Sequence, residues 1–214
     1  MRLALVLAAA ILLAGAGSCL GDVPAPAAPG ASAPAPAMPA KLPLASEMAG
    51  RKGLITSGEF APDFTLPRLD AAGGTFTLSK VIGPKKTGAA DGAIVTFMAS
   101  WCGICQRSLP SLKALTDEHG ARLALVVIST DASDDAARKE AAALAAAGLA
   151  VPVVRGDAAT LAAWLGGETG VPKYFFVNRS GEVLMKDTGY GAKVAGMMPR
   201  QLGFTLSHPD PIAR

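Results

Sequence analysis

Two cysteines three positions apart, Cys102 and Cys105, follow closely on a short apolar run, Ala93-Ile94-Val95-Thr96-Phe97-Met98. Such a run is what a strand covered on both faces of a sheet requires. From about Cys102 to Glu118, Leu109, Leu112 and Leu115 fall on one helical face, and Gly120 supplies a stop. The cysteines therefore sit at a strand-to-helix junction. No other feature narrows the folds open to the chain as much, because it ties a buried strand to a helix whose first turn carries sulfur.

The junction also favours a particular chemistry. A thiol attacks a disulfide only as its thiolate, so a redox cysteine needs a lowered pKa and an accessible sulfur. Unpaired N–H groups and the positive end of the helix dipole stabilise that anion at a helix N-terminus. This makes Cys102 the expected nucleophile and Cys105, one turn later on the same face, the expected resolving thiol. A structural bridge is the alternative, but closing so small a loop removes little unfolded-state entropy. Zinc would want four ligands, and only His119 and His208 are left to help. His119 reads better as a cap at a helix C-terminus, and His208 lies in a Pro-rich tail. No metal site is expected.

The remaining elements follow from local signals. Phe60 to Pro67 and Thr75 to Leu78 read as two strands around a Gly73-Gly74 turn. Leu123 to Ser129 is a second buried strand. Ser133 caps a helix over Asp134 to Ala147, with two acids in its first turn. Val151 to Val154 is a strand, Ala158 to Leu165 a helix, and Tyr174 to Val177 and Val183 to Lys186 flank a hairpin at Asn178-Arg179-Ser180-Gly181. This order predicts an α/β domain with a central mixed sheet and helices on both faces. Gly191, Gly196, Pro199 and Gly203 predict a short or broken helix between Tyr190 and Phe204.

The N-terminal quarter has a different character. The mean hydropathy of +0.36 would suit a membrane protein, but alanine supplies much of it. The one continuous apolar segment, Leu3 to Ala16, is about 14 residues, short of the roughly 20 a helical span needs. With Arg2 before it and small residues after it, residues 1–18 read as an export signal. Ala16-Gly17-Ser18-Cys19 resembles the lipobox of bacterial lipoproteins, in which the cysteine is acylated, although Ala16 stands where that pattern usually has Leu. An ordinary signal peptide with Cys19 incidental is the alternative. Acylation would leave Cys102 and Cys105 to pair with each other. Residues 19–53 read as a Pro/Ala-rich tether, with the folded domain over 54–214. A net charge of +3, without a dense basic block, gives no case for nucleic acid.

Taken together, Phe97 through Cys105, Pro110, Gly170-Val171-Pro172 and the early Ala61-Pro62-Asp63-Phe64 resemble the thioredoxin superfamily. Within it, the TlpA/ResA-like (redoxin) branch of exported thiol–disulfide oxidoreductases is the most similar. The resemblance spans roughly Glu59 to Lys186. It implies a three-layer α/β/α sandwich with an extra N-terminal β-hairpin. It also implies that Trp101 shields one side of a Cys102–Cys105 disulfide, Pro110 kinks the first helix, and Pro172 is cis and faces the disulfide. The Val171 backbone would then pair with an extended substrate. The implied activity is reduction of client protein disulfides in the bacterial periplasm, including those of cytochrome c maturation. The implied partners are such a client, a membrane electron donor and, through Cys19, the membrane itself. No cofactor beyond the disulfide and a monomeric state are expected.

Two positions depart from the family pattern. Ser108 stands where these reductases often carry glutamate, and Thr96 where thioredoxins often carry a buried aspartate. Both acids are thought to tune or relay protons, so the proton path to Cys105 is left open. Arg107 and Lys173 could lower the Cys102 pKa, but solvated surface charge is the expected role of each. Two other functions share the fold. A copper-binding assembly factor of the Sco type resembles C-x-x-x-C with a late histidine, and the spacing here is one residue short. A peroxiredoxin-like peroxidase would have a threonine three residues before its cysteine, where this chain has Ala99.

Overall fold

Strand β3 (Gly92–Met98) is buried along its whole length, and the rest of the fold is arranged around it. The computed structural model describes residues 37 to 212. Before β3 come a one-turn helix α1 (Ala45–Met48) and the short strands β1 (Thr65–Pro67) and β2 (Thr75–Thr77). After it come α2 (Gly103–His119), β4 (Leu123–Ser129), α3 (Asp134–Ala146), β5 (Val153–Arg155), α4 (Ala158–Leu165), β6 (Lys173–Asn178), β7 (Val183–Thr188) and α5 (Ala192–Ser207).

The five-stranded sheet has the order β5-β4-β3-β6-β7. β3, β4 and β5 are parallel, as the intervening helical crossovers require, and β6 runs antiparallel to both of its neighbours, β3 and β7. β1 and β2 form the expected N-terminal hairpin, attached to β5 through Arg68 and Val154. Alternate side chains of each strand enter different layers. Val95, Phe97, Val126 and Phe175 pack with Trp164 of α4 and the N-terminal segment. Ile94, Met98, Val127, Tyr174 and Phe176 pack with α2, α3 and α5. The mixed α/β sandwich expected from the sequence is the one observed.

The first layer is centred on three rings. Phe97, Trp164 and Phe175 have centroids 5.1 to 5.9 Å apart in tilted or edge contacts, and the Trp164 indole N–H donates to the Pro62 carbonyl at 3.1 Å. That bond satisfies the ring's polar atom and ties the segment before β1 to α4.

Three expectations need correction. Residues 1–18 and Cys19 lie outside the described residues, but the later part of the expected tether belongs to the domain. Leu42 is 1% exposed and Ala45 is buried beside it. The Ala45 N–H donates to Asp63 and the Ile55 N–H to Trp164. Gly53 lies against Gly166, the left-handed C-cap of α4 (φ +55°), where any Cβ would collide with the Gly53 backbone. Proline-rich composition masked these few anchoring residues. At the other end, α5 is one continuous helix of 16 residues despite Pro199. Met198, Gln201, Leu202, Thr205 and Leu206 form its buried face, while Gly196, Pro199 and Gly203 lie on the exposed side. Burial of one stripe outweighs poor helix propensity. Strand limits also shift: Phe60 to Phe64 precede β1, and β5 begins at Val153.

Candidate active site

The C-terminal end of β3 and the start of the antiparallel β6 bring the site together. Leaving β3, the chain turns at Ala99 to Trp101, with the Cys102 N–H donating to the Ala99 carbonyl at 3.0 Å. Cys102 is the N-cap of α2 in an extended conformation, and its sulfur accepts the Cys105 N–H at 3.1 Å. Cys102 and Cys105 form a disulfide across Cα atoms 5.2 Å apart. Opposite them, the Val171–Pro172 peptide bond is cis, and the Val171 carbonyl oxygen lies 3.8 Å from the Cys102 sulfur.

Access to the two sulfurs is unequal. Cys102 retains 6% exposure and Cys105 none. The accessible thiol foreseen for residue 102 is thus a largely buried residue rather than an exposed side chain, with the Val171 carbonyl 3.8 Å from its sulfur. An incoming nucleophile meets Cys102 first. Trp101 is 71% exposed, so its ring stands out beside the disulfide. It forms one wall of a groove of about 390 Å3 lined also by Leu161, Leu165, Glu168 and Thr169.

A carboxylate holds the active-site turn. Asp131, just past β4, accepts the Ser100 N–H at 2.9 Å, the Ser100 hydroxyl at 3.0 Å and the Ser129 hydroxyl at 2.7 Å. Nearby, fully buried Glu140 of α3 accepts from the Gln106 side-chain amide at 3.4 Å through one oxygen, and its other oxygen makes no hydrogen bond. Burial, reinforced by the Asp131 charge, pushes the Glu140 carboxyl up to about 7. Sequence reasoning missed both acids. A signal for Glu140 existed, since Ala137, Glu140, Ala141 and Leu144 occupy one helical face.

Lys173 differs from expectation. Its side chain is 2% exposed and donates to Glu168 at 2.9 Å. As the first residue of β6 beside β3, it is drawn into the sheet, and Glu168 supplies the countercharge that burial demands. Arg107 stays on the exposed side of α2. Ser108 and Thr96 are both fully buried, and the Ser108 hydroxyl donates to the Cys105 carbonyl at 2.7 Å.

A disulfide at a strand-to-helix junction, facing a cis-proline at the start of a neighbouring strand, defines the class of thioredoxin-superfamily thiol–disulfide oxidoreductases. The chain belongs to the Redoxin family, whose family model matches residues 56–197. Among solved structures it is similar to a candidate thiol:disulfide interchange protein DsbE from Chlorobium tepidum. That likeness has 25% identity and a TM-score of 0.57, covering 71% of this chain and 99% of that one. It is also similar to a candidate protein disulfide isomerase from Bacteroides thetaiotaomicron, with 25% identity and a TM-score of 0.60 over 73% and 94% of the two chains. A stretch of 45 residues is 40% identical to the chloroplastic thioredoxin X of Arabidopsis thaliana. That stretch covers 21% of this chain and only 25% of the relative.

Proposed function

We propose that the protein reduces disulfides of client proteins in the cell envelope, with Cys102 as the nucleophile and Cys105 as the resolving thiol. The observation that carries this reading is the asymmetry of the pair. Cys102 caps α2 and keeps a sliver of exposure, while Cys105 is sealed one turn below it.

In the reduced protein the Cys102 thiolate attacks one client sulfur. A Cys102–client S–S bond forms, the client S–S bond breaks, and the departing client thiolate takes a proton. Cys105 then loses its proton and displaces the client sulfur from Cys102. The chain ends as the Cys102–Cys105 disulfide and the client as a dithiol, two electrons having passed between them. Trp101 and the groove beside it support an apolar client side chain, and the Val171 backbone supports an extended segment. No other cofactor takes part.

The reducing direction and a role in cytochrome c maturation rest on the resemblance to TlpA/ResA-like proteins. Export to the periplasm and membrane attachment through acylated Cys19 rest on the N-terminal sequence, with a membrane donor re-reducing the monomeric protein. No helix among the described residues is long and apolar enough to cross a membrane.

The test is a Cys105→Ser variant expressed in the envelope. Stable mixed disulfides on Cys102 with a client and with a membrane thiol donor are expected. Reductase function further requires a reduction potential nearer thioredoxin's, about −270 mV, than the roughly −120 mV of an oxidant such as DsbA. Absence of any adduct under reducing and oxidising growth would overturn the proposal.

A further inference from the structure

Behind the disulfide, three polar side chains cross the sheet in one row. Thr96 of β3 is the register partner of Tyr174 of β6, and Tyr174 is the register partner of Asp187 of β7. Register partners project to the same face of a sheet, and here that face is otherwise lined by Ile94, Met98 and Phe176 beneath α2 and α5. Thr96 and Tyr174 are fully buried. The Thr96 hydroxyl, the Tyr174 phenol and one Asp187 oxygen are each sealed from solvent without a well-formed hydrogen bond. A polar row left this way inside an apolar layer is costly unless it serves a purpose.

The row meets α2 at Ser108. Its hydroxyl lies beside the Tyr174 phenol and donates to the Cys105 carbonyl one turn back. At its far end the row leads outward, since Asp187 is half-buried near the end of β7 and Tyr190, facing the same phenol, is also part-exposed. Burial raises the phenol's pKa, and the Asp187 and Tyr190 oxygens act in the same direction. Tyr174 therefore stays protonated and can pass a proton only by taking one while giving another.

Resting on the reading of Cys105 as the resolving thiol, we infer that Ser108, Tyr174 and Asp187 form a proton exit from that buried sulfur to solvent. Cys105 has no exposed surface, yet it must lose a proton before attacking the mixed disulfide. The proton moves toward Ser108 and Tyr174 as the phenol gives its own toward Asp187, and water takes it at the surface. The Cys105 sulfur then bonds to Cys102 and the client sulfur leaves with its electron pair. Tyr174 is a positioning residue for this step and touches no client.

Mixing the reduced protein with an excess of the aromatic disulfide 5,5′-dithiobis(2-nitrobenzoate) separates the steps. The first thionitrobenzoate released reports capture by Cys102, and the second reports resolution by Cys105. Tyr174→Phe keeps the ring and is expected to slow the second release at least about tenfold at neutral pH. The first release should be unchanged, and the deficit should shrink as rising pH lets hydroxide remove the proton. Asp187→Asn should act in the same direction. A Tyr174→Phe second phase at the wild-type rate from pH 6 to 9, or one slowed equally at every pH, would overturn the relay. A wild-type chain that releases one equivalent and never the second would instead overturn the assignment of Cys105, and the relay with it.

Discussion

The Cys105 backbone N–H points at the Cys102 sulfur from 3.1 Å, so the side chain that caps α2 is the one expected to attack. A cap of this kind accepts an otherwise orphaned donor, and a thiolate accepts it better than a thiol. In the reduced protein, alkylation by iodoacetamide at neutral pH should therefore fall on Cys102 and spare Cys105. Peptide mass spectrometry after limited labelling checks this, and preferential labelling of Cys105 would reverse the assigned roles.

Asp131 gathers three donors from two segments that must hold the Trp101-Cys102 turn in place. Removing the carboxylate leaves the Ser100 N–H and two hydroxyls without their acceptor. Asp131→Ala is expected to cost about 2 to 3 kcal/mol in urea unfolding. Ser100→Ala, which removes a single hydroxyl, should cost about 1 kcal/mol or less.

Glu140 gives stability an unusual pH dependence. In the unfolded chain it ionises near 4.5, but in the fold it stays protonated until about pH 7. Between those values the folded state binds the extra proton, so this residue's contribution falls as pH rises. The penalty is complete above pH 7 and absent below about 4.5. Glu140→Gln should exceed wild type by about 1 to 3 kcal/mol at pH 8 and match it at pH 4. Denaturant melts at the two pH values decide the matter. An advantage of equal size at both would show that the charge is not responsible.

Leu42 tests where the domain begins. Truncating this 1% exposed side chain to Ala should cost about 2 to 4 kcal/mol. A chain starting at residue 54 should melt at a lower temperature than one starting at 37. Equal melting temperatures would return residues 37–53 to the tether.

Much of the core fold was legible because its signals are local. Ser133 and Asp157 cap α3 and α4 through bonds to N–H groups three residues on, and such caps lie within one turn of what they satisfy. Leu109, Leu112 and Leu115 are buried as their spacing predicts. The α5 helix was not legible, because its glycines and proline argue against a helix and only the sheet beneath supplies the contrary term. Leu42 and Ala45 were hidden for a similar reason, since their partners are Gly181 and Asp63, remote in the chain.

The chain's own order of residues determined the dithiol and its junction between a buried strand and a helix, whereas the placing of Val171-Pro172 opposite it was implied by the family resemblance alone. The dithiol and its junction depend on periodicity, capping and the chemistry of single side chains, all readable within a few positions. Only the tertiary structure decided that Thr96, Tyr174 and Asp187 share a row, that Lys173 is buried against Glu168, and that Glu140 lies near Asp131. Such neighbours come from strand order and register, which are set by the joint burial of many distant residues, so no local stretch of sequence contains them.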